Sequence, residues 1–189
     1  VTSSIDTTIT AVFEPATSDS SAIVINEINY NSADDYDTRD WVELANNGSG
    51  AINLSGWQFK DEDDSHVFVI PEQTILENGA FIVLAEDTAI FNEFFPGTGP
   101  VVGNLNFGFS GGGELIRLYD ANGVFIDQVT YDDDDPWPAE ADGEGPTLEL
   151  INPSFDNSLP ESWNYSSNLY GTPGVENSIY QSLHTVNIL

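Results

Sequence analysis

Apolar and polar residues alternate over several short stretches of the chain, and this period of two is typical of β-strands half buried in a sheet. Together with the content of β-branched and aromatic residues, the alternation predicts strands over residues 23–30, 39–46, 54–59, 66–70, 80–85, 114–119, 124–131 and 147–151. Turn-forming residues separate the strands at intervals of roughly 8–12 residues, which is the spacing expected of a β-sandwich or barrel.

The alternation also predicts which side chains share a face. In the first strand it places Val24, Ile28 and Tyr30 on one face, with Asn26 as the polar member of that face. The segment 80–85 is apolar throughout, which predicts a strand buried on both faces.

One stretch has the pattern of a helix. Asp87 and Thr88 are suitable N-cap residues, apolar residues follow at helical spacing over residues 89–95, and Pro96-Gly97 ends the stretch. A single helix of about two turns among about eight or nine strands predicts an all-β fold.

The composition fits a folded domain. Of the 189 residues, 40% are hydrophobic, which is enough to bury a core. The absence of Cys excludes disulfides and thiolate sites, and His66 and His184 are too far apart in sequence to predict a zinc site. No apolar run reaches the roughly 20 residues needed to cross a membrane, so we expect no membrane insertion. The chain begins at Val1 and contains no Met, so we expect a processed chain or a piece of a longer protein.

The charge is strongly negative. The chain has 32 acidic residues against three Lys and Arg residues, and its formal net charge is −29. Affinity for nucleic acid comes from Lys and Arg, so this balance argues against a nucleic-acid partner. It favours cations or basic surfaces as partners, and simple solvation of the surface in a salty medium is the alternative.

Several short motifs follow one another over residues 22–177. In order they include Ile25-Asn26-Glu27-Ile28, Asp40-Trp41-Val42-Glu43-Leu44, Asn53-Leu54-Ser55-Gly56-Trp57, Leu118-Tyr119-Asp120, Leu148-Glu149-Leu150 and Gly171-Thr172-Pro173-Gly174. Together they resemble the lamin tail domain, which is an immunoglobulin-like antiparallel β-sandwich.

The resemblance implies a non-catalytic accessory or interaction module of a larger secreted or cell-surface bacterial protein. Its expected partners are the other domains of its parent protein, another protein, or extracellular matrix or glycan. Residues 22–177 would form the domain. Residues 1–21 would be a linker or an extra N-terminal strand, and residues 178–189 a C-terminal linker or the start of a next domain.

Acidic loops are the candidate metal sites. Calcium prefers six to eight oxygen ligands in flexible geometry, which carboxylates at alternate loop positions can supply. On this ground Asp35, Asp37, Asp132 and Asp134 are candidate ligands of a structural calcium ion, although no cofactor is required by the sequence. The alternative is that these loops are merely charged and solvated.

Aromatic residues in loop-like segments are the candidate ligand contacts. Tyr36, Trp137, Trp163 and Tyr170 could stack against sugar rings, which would make the chain a calcium-assisted carbohydrate-binding module. The alternative is that they pack over the ends of the sheets.

Glu27 and Glu43 are charged residues inside otherwise apolar strands. We expect them to be structural, answering either Arg39 or unpaired backbone N–H groups. A hydrolase is the third and least favoured function, because so many acidic residues guarantee chance pairs of carboxylates. No catalytic residue is predicted.

Overall fold

Twelve β-strands and one α-helix make up the fold in the computed structural model, which describes residues 20–182. The predicted linker or extra strand at residues 1–21 and the predicted tail at residues 178–189 lie for the most part outside the described residues. The elements are β1 Ile23–Asn29, β2 Trp41–Asn46, β3 Ile52–Asn53, β4 Gln58–Lys60, β5 Phe68–Val69, β6 Ile75–Leu76, β7 Phe81–Ala85, α1 Thr88–Phe94, β8 Val101–Gly103, β9 Glu114–Tyr119, β10 Phe125–Tyr131, β11 Leu148–Leu150 and β12 Trp163–Tyr165.

The strands form two sheets and a small ribbon. Sheet A has the order β12-β11-β1-β2-β7-β8, and sheet B has the order β10-β9-β4-β5. The ribbon pairs β3 with β6. Neighbouring strands are antiparallel except at one edge of sheet A, where β8 runs parallel to β7. The predicted all-β, immunoglobulin-like sandwich with one short helix is confirmed.

The core lies between the two sheets. Leu44 and Leu84 from sheet A meet Phe59, Leu118 and Val129 from sheet B, and each of these side chains is fully buried. Complete burial of a side chain of this size stabilises a fold by about 1.5–3 kcal/mol relative to exposure.

A β-bulge in β1 changes which side chains face this core. The register of β1 against β2 shifts between Ile25 and Glu27. Ile25 lies on the core side before the bulge, while Ile28 and Tyr30 lie on it afterwards. The predicted common face of Val24, Ile28 and Tyr30 is therefore wrong, because the extra residue of a bulge reverses the alternation.

Helix α1 covers part of the other face of sheet A. The carboxylate of Asp87 caps the helix by accepting hydrogen bonds from the backbone N–H groups of Ala89 and Ile90. Phe91 is buried and meets Trp41 of β2 edge to face, with ring centroids 5.7 Å apart. This outer face of sheet A is thus buried as well, which explains why β2 is buried at every position.

Candidate functional site

The loops at one end of the sandwich are joined by hydrogen bonds. Nδ2 of Asn31 donates to Oδ1 of Asp142 at 2.7 Å, and the backbone N–H of Gly143 donates to the carbonyl of Asn31 at 3.2 Å. The loop between β1 and β2 therefore lies against the loop that follows β10. We use the name acidic end for residues 31–40, Glu86, residues 132–135 and Asp142.

Asp40 is a half-buried carboxylate of the acidic end. Its Oδ2 accepts a hydrogen bond from the backbone N–H of Phe109 at 2.6 Å. The pKa of Asp40 is raised to about 7, mainly by burial and also by the nearby negative charges of Glu86, Glu114 and Asp37, while the hydrogen bond from the Phe109 N–H acts in the opposite direction. Asp40 can therefore bind or release a proton near neutral pH.

A polar pocket of about 280 Å³ opens beside this carboxylate. Its walls are formed by Asn31, Ser32, Asp34, Asp37, Arg39, Asp40 and Glu86. Arg39 is a basic residue among acidic ones, and its guanidinium lies 3.4 Å from Asp37 with both side chains half exposed.

The predicted calcium ligands fall into two places. Within residues 20–182, one set of three or more acidic or metal-binding side chains has ligand atoms within 4.8 Å of one another, and it is Asp132, Asp133 and Asp134. Asp133 was missed because only alternate positions were considered. Asp35 and Asp37 are not part of this set, and Asp37 is instead paired with Arg39.

The predicted aromatic contacts form two pairs. Trp137 and Trp163 are buried, at 7% and 4% exposure, with ring centroids 6.1 Å apart. Their faces are enclosed, so they form no exposed platform for a sugar. Tyr36 and Tyr170 stack on each other with centroids 3.6 Å apart, so each ring already uses one face.

Three buried carboxylates form a row on the outer face of sheet A. Glu27 of β1 is paired in register with Glu149 of β11 on one side and with Glu43 of β2 on the other. All three residues are 0% exposed. We call them the glutamate row.

The chain at residues 171–179, called here the C-terminal strap, contacts this row. The backbone N–H of Thr172 donates to Oε1 of Glu27 at 2.9 Å, and that of Gly174 donates to Oε2 of Glu43 at 2.5 Å. The strap thus supplies backbone donors to two of the three buried carboxyl groups.

Glu149 is held by the strap in the same way. Its Oε1 accepts from the Thr172 hydroxyl at 2.6 Å, and its Oε2 accepts from the Ser178 hydroxyl at 2.8 Å and from the Ile179 N–H at 3.1 Å. The glutamate row is therefore the surface on which the end of the described chain is fixed.

Burial raises the pKa values of two carboxyl groups in this row. Burial raises the pKa of Glu27 well above its ordinary value, and the charges of Glu43 and Glu149 raise it further. Burial also raises the pKa of Glu43 to about 8, although hydrogen bonds from Gly174 and Asn26 oppose the shift. The row is closed to solvent. Its carboxyl groups can therefore hold protons in the folded protein, but a substrate cannot reach them.

The predicted structural role of Glu27 and Glu43 is confirmed. Two kinds of partner were expected for them, Arg39 or backbone N–H groups, and the structure shows the second. They accept hydrogen bonds from backbone N–H groups, whereas Arg39 lies at the acidic end with Asp37. Glu149 was missed as a member of the row, although it carries the same signal of a charged residue inside an apolar strand.

An open groove of about 260 Å³ lies elsewhere, beside β2 and β7. It is lined by Ala45, Asn46, Asn47, Gly79, Phe81, Asn152, Pro153, Ser154, Glu176 and Tyr180. Its aromatic members are Phe81 and Tyr180, and Tyr180 is 39% exposed.

The fold and these sites define an immunoglobulin-like β-sandwich whose buried carboxylates are structural and whose exposed loops are acidic. The family model of the lamin tail domain matches residues 16–133, which is more than half of the chain. The chain therefore belongs to the lamin tail domain family, whose members are generally not enzymes and whose immunoglobulin-like fold is that of an interaction module.

Two further comparisons add little. No curated protein matches the chain. Among solved structures, the chain is similar to a DUF4876 family protein from Bacteroides thetaiotaomicron, with 12% sequence identity and a TM-score of 0.48, over 78% of this chain and 68% of that one. Within residues 20–182, no helix is long and apolar enough to cross a membrane.

Proposed function

We propose that this lamin tail domain is a non-catalytic interaction module of a larger secreted or cell-surface protein, and that it docks a basic protein surface at the acidic end. Every charged side chain of the acidic end except Arg39 is acidic. Charge complementarity steers encounter with a positive partner and suppresses binding to a negative one.

The observation that carries this proposal is the position of the basic residues. Arg39 is paired with Asp37, and Arg117 is hydrogen bonded to Asp64 at 3.0 Å. Lys60 lies 5.5 Å from the ring centre of Tyr119. Only the first of these three side chains is at the acidic end, so the net negative charge there is left to an outside partner.

Binding of a lysine- and arginine-rich peptide to the full chain tests the proposal. We expect the triple variant Asp34→Asn/Asp35→Asn/Asp37→Asn to bind the peptide at least about tenfold more weakly than the wild type, because charged contacts control encounter. The matched control Glu72→Gln/Glu77→Gln/Glu161→Gln removes the same charge from exposed positions outside the acidic end. Equal weakening by both variants would refute the proposal, because binding would then depend on net charge alone.

Glycan binding is the second candidate function, and the groove favours it. The exposed Tyr180 ring lies with Phe81 beside the polar residues Asn47, Ser154 and Glu176, a combination of stacking surface and hydrogen-bonding groups that suits a sugar.

A glycan array tests this candidate. We expect Tyr180→Ala to abolish any signal, while Tyr165→Ala, which removes a tyrosine of similar 38% exposure outside the groove, retains it. An array without signal for the wild type, or loss of signal in both variants, would contradict glycan binding in the groove.

A further inference from the structure

Residues 171–176 of the C-terminal strap, called here the cover segment, lie directly on two of the buried glutamates. The backbone N–H of Thr172 donates to Glu27 and that of Gly174 donates to Glu43. A Cβ at Gly171 would overlap Oε1 of Glu27, so the backbone passes this carboxyl group as closely as a glycine allows. The cover segment therefore shields both carboxyl groups from water.

The hydrogen bonds of the cover segment depend on the glutamate row. Among the described residues, the hydrogen bonds that residues 172–176 make to other parts of the fold all end on its three glutamates. Val175 is 57% exposed and Glu176 lines the open groove, so neither side chain adds a buried anchor. A change of charge in the row therefore acts on every one of these bonds.

The two ends of the cover segment are fixed independently of the row. Before it, the backbone N–H of Tyr170 donates to the carbonyl of Gly145 at 3.0 Å. After it, Nδ2 of Asn177 donates to the carbonyls of Asn26 at 3.0 Å and Leu150 at 2.8 Å. The cover segment can therefore move away as a loop between two fixed ends.

No basic side chain in the described part of the chain balances the row. The chain has three Lys and Arg residues, which lie elsewhere: Arg39 beside Asp37, Lys60 beside Tyr119 and Arg117 beside Asp64. His66 is held by Asp61.

The elements packed around the row bring no other charge onto it. Val83 of β7 is paired with Glu43, and Asn164 of β12 is paired with Glu149. Beyond Gly174 lie Thr98 and Gly99, which cannot titrate. The exposed Glu93 of α1 faces solvent. The charges that act on Glu27 are accordingly those of Glu43 and Glu149.

Ionisation of Glu27 and Glu43 would place like charges on adjacent strands, which lie about 4.8 Å apart in a sheet. Oε2 of Glu27 is buried without a hydrogen-bond partner among residues 20–182, so a charge there would be poorly compensated. Water can solvate these carboxylates once the cover segment leaves. The core is not opened by this movement, because it lies on the opposite face of sheet A.

We propose that proton loss from Glu27 and Glu43 opens the cover segment while the rest of the sandwich stays folded. In the closed state the pKa of Glu43 is about 8, against an ordinary value of 4.5 that it regains in water. Opening should therefore become easier as the pH rises from about 5 to about 8, by up to about tenfold per pH unit for each group that titrates.

Hydrogen exchange of the full chain, normalised at each pH by the intrinsic exchange rate, tests the proposal. We expect the protection of the Thr172 and Gly174 amides to fall at least about tenfold between pH 6 and pH 8. At each pH it should stay below the protection of the β2 amides, because these two amides exchange through a local opening.

Two variants assign the effect to the row. In Glu43→Gln the fall in protection should be smaller than in the wild type, and in Glu27→Gln/Glu43→Gln it should nearly vanish. Asp40→Asn is the matched control, because it removes another carboxyl group of raised pKa that does not touch the strap. Its fall in protection should equal that of the wild type. Circular dichroism should show that each variant is folded.

A spin label at Val175 tests the opening without changing any glutamate. The chain has no Cys, so Val175→Cys provides a single labelling site on an exposed position of the cover segment. We expect the label to become more mobile between pH 6 and pH 8.

Three results would overturn the proposal. Protection at Thr172 and Gly174 equal to that of the β2 amides at every pH would mean that the segment opens only when the whole fold does. An undiminished fall in the double glutamine variant would assign the pH dependence to other groups. A label whose mobility is the same at pH 6 and pH 8 would show that the segment stays closed.

Discussion

Glu27 shows how a single residue sets the pH response of the fold. Its Oε1 accepts hydrogen bonds from Thr147 and Thr172, whereas its Oε2 is buried without a partner among the described residues. A carboxylate in that position is disfavoured when ionised, because it has lost water and faces the charges of Glu43 and Glu149. The folded protein therefore holds a proton at Glu27 that the unfolded chain releases.

Replacing Glu27 by Gln should stabilise the protein selectively at high pH. The amide keeps the acceptor at Oε1 and puts its N–H₂ where the unpartnered oxygen was, so the packing cost is the same at every pH. Removing the ionisable group should therefore raise the free energy of unfolding more at pH 8 than at pH 5. Urea unfolding at the two pH values measures this difference.

The exposed variant Glu72→Gln is the control for Glu27→Gln and should show no pH-dependent gain. If the Glu27 variant gained no more stability at pH 8 than at pH 5, Glu27 would not be held protonated in the fold.

The sequence identifies Glu27 and Glu43 as anomalous residues but not their partners. A charged residue inside an apolar strand is visible in any reading of the chain, and a structural role follows from the cost of its burial. The donors come from Thr172 and Gly174, more than a hundred residues away, and no local pattern encodes that contact. The same limit applies to Tyr30, whose ring packs against that of Tyr131 with centroids 4.7 Å apart although the two residues are far apart in sequence.

At the scale of elements, the C-terminal strap closes the outer face of sheet A beside the region that α1 covers. One of the hydrogen bonds that hold the strap can be removed without changing the shape of the side chain, because Val has nearly the shape of Thr. Thr172→Val keeps the backbone N–H to Glu27 and deletes the hydroxyl that donates to Glu149 at 2.6 Å.

We expect Thr172→Val to lower the free energy of unfolding by about 1–3 kcal/mol, which is the typical cost of leaving a buried acceptor without its donor. Thermal melting provides the measurement. Thr74→Val, which removes an exposed hydroxyl bound to the carbonyl of Pro71, should cost less than about 0.5 kcal/mol. Equal losses in both variants would mean that the strap is not anchored through Glu149.

The longer elements were predicted, and several of the shortest were not. β9 matches its predicted range of 114–119, and α1 lies within one residue of its predicted position. β3, β6, β8 and β12 were not predicted, because two or three residues cannot show a period, whereas the equally short β4, β5 and β11 coincide with longer predicted stretches. The bulge in β1 was also missed, although the two consecutive polar residues Asn26 and Glu27 between Ile25 and Ile28 interrupt the period of two at the point where the register shifts.

At the scale of the whole molecule, the net charge of −29 opposes compaction. Raising sodium chloride from about 0.01 M to about 1 M shortens the screening length from about 30 Å to about 3 Å. The melting temperature should therefore rise with salt, and potassium chloride should give the same rise. A melting temperature that is independent of salt would show that the repulsion is already compensated.

The stability of the fold should also decrease as the pH rises. Folded Glu43 and Asp40 have pKa values of about 8 and about 7, against ordinary values of 4.5 and 3.8. Raised values mean that the fold binds these protons more tightly than the unfolded chain does. Their stabilising effect is therefore complete below about pH 4 and is lost as pH rises to about 8.

The melting temperature is expected to be highest at mildly acidic pH and to fall between about pH 5 and pH 8. Melting curves across that range provide the measurement. In Asp40→Asn the fall should be smaller than in the wild type. A melting temperature that rises from pH 5 to pH 8 would contradict the raised pKa values.

We propose that the acidic end is the docking surface of this lamin tail domain. An NMR titration of the isotope-labelled chain with a lysine- and arginine-rich peptide tests it most directly. We expect shift changes concentrated in residues 31–40, Glu86 and residues 132–142. Changes spread equally over the acidic run at residues 61–64, or centred on Phe81 and Tyr180 in the groove, would contradict it.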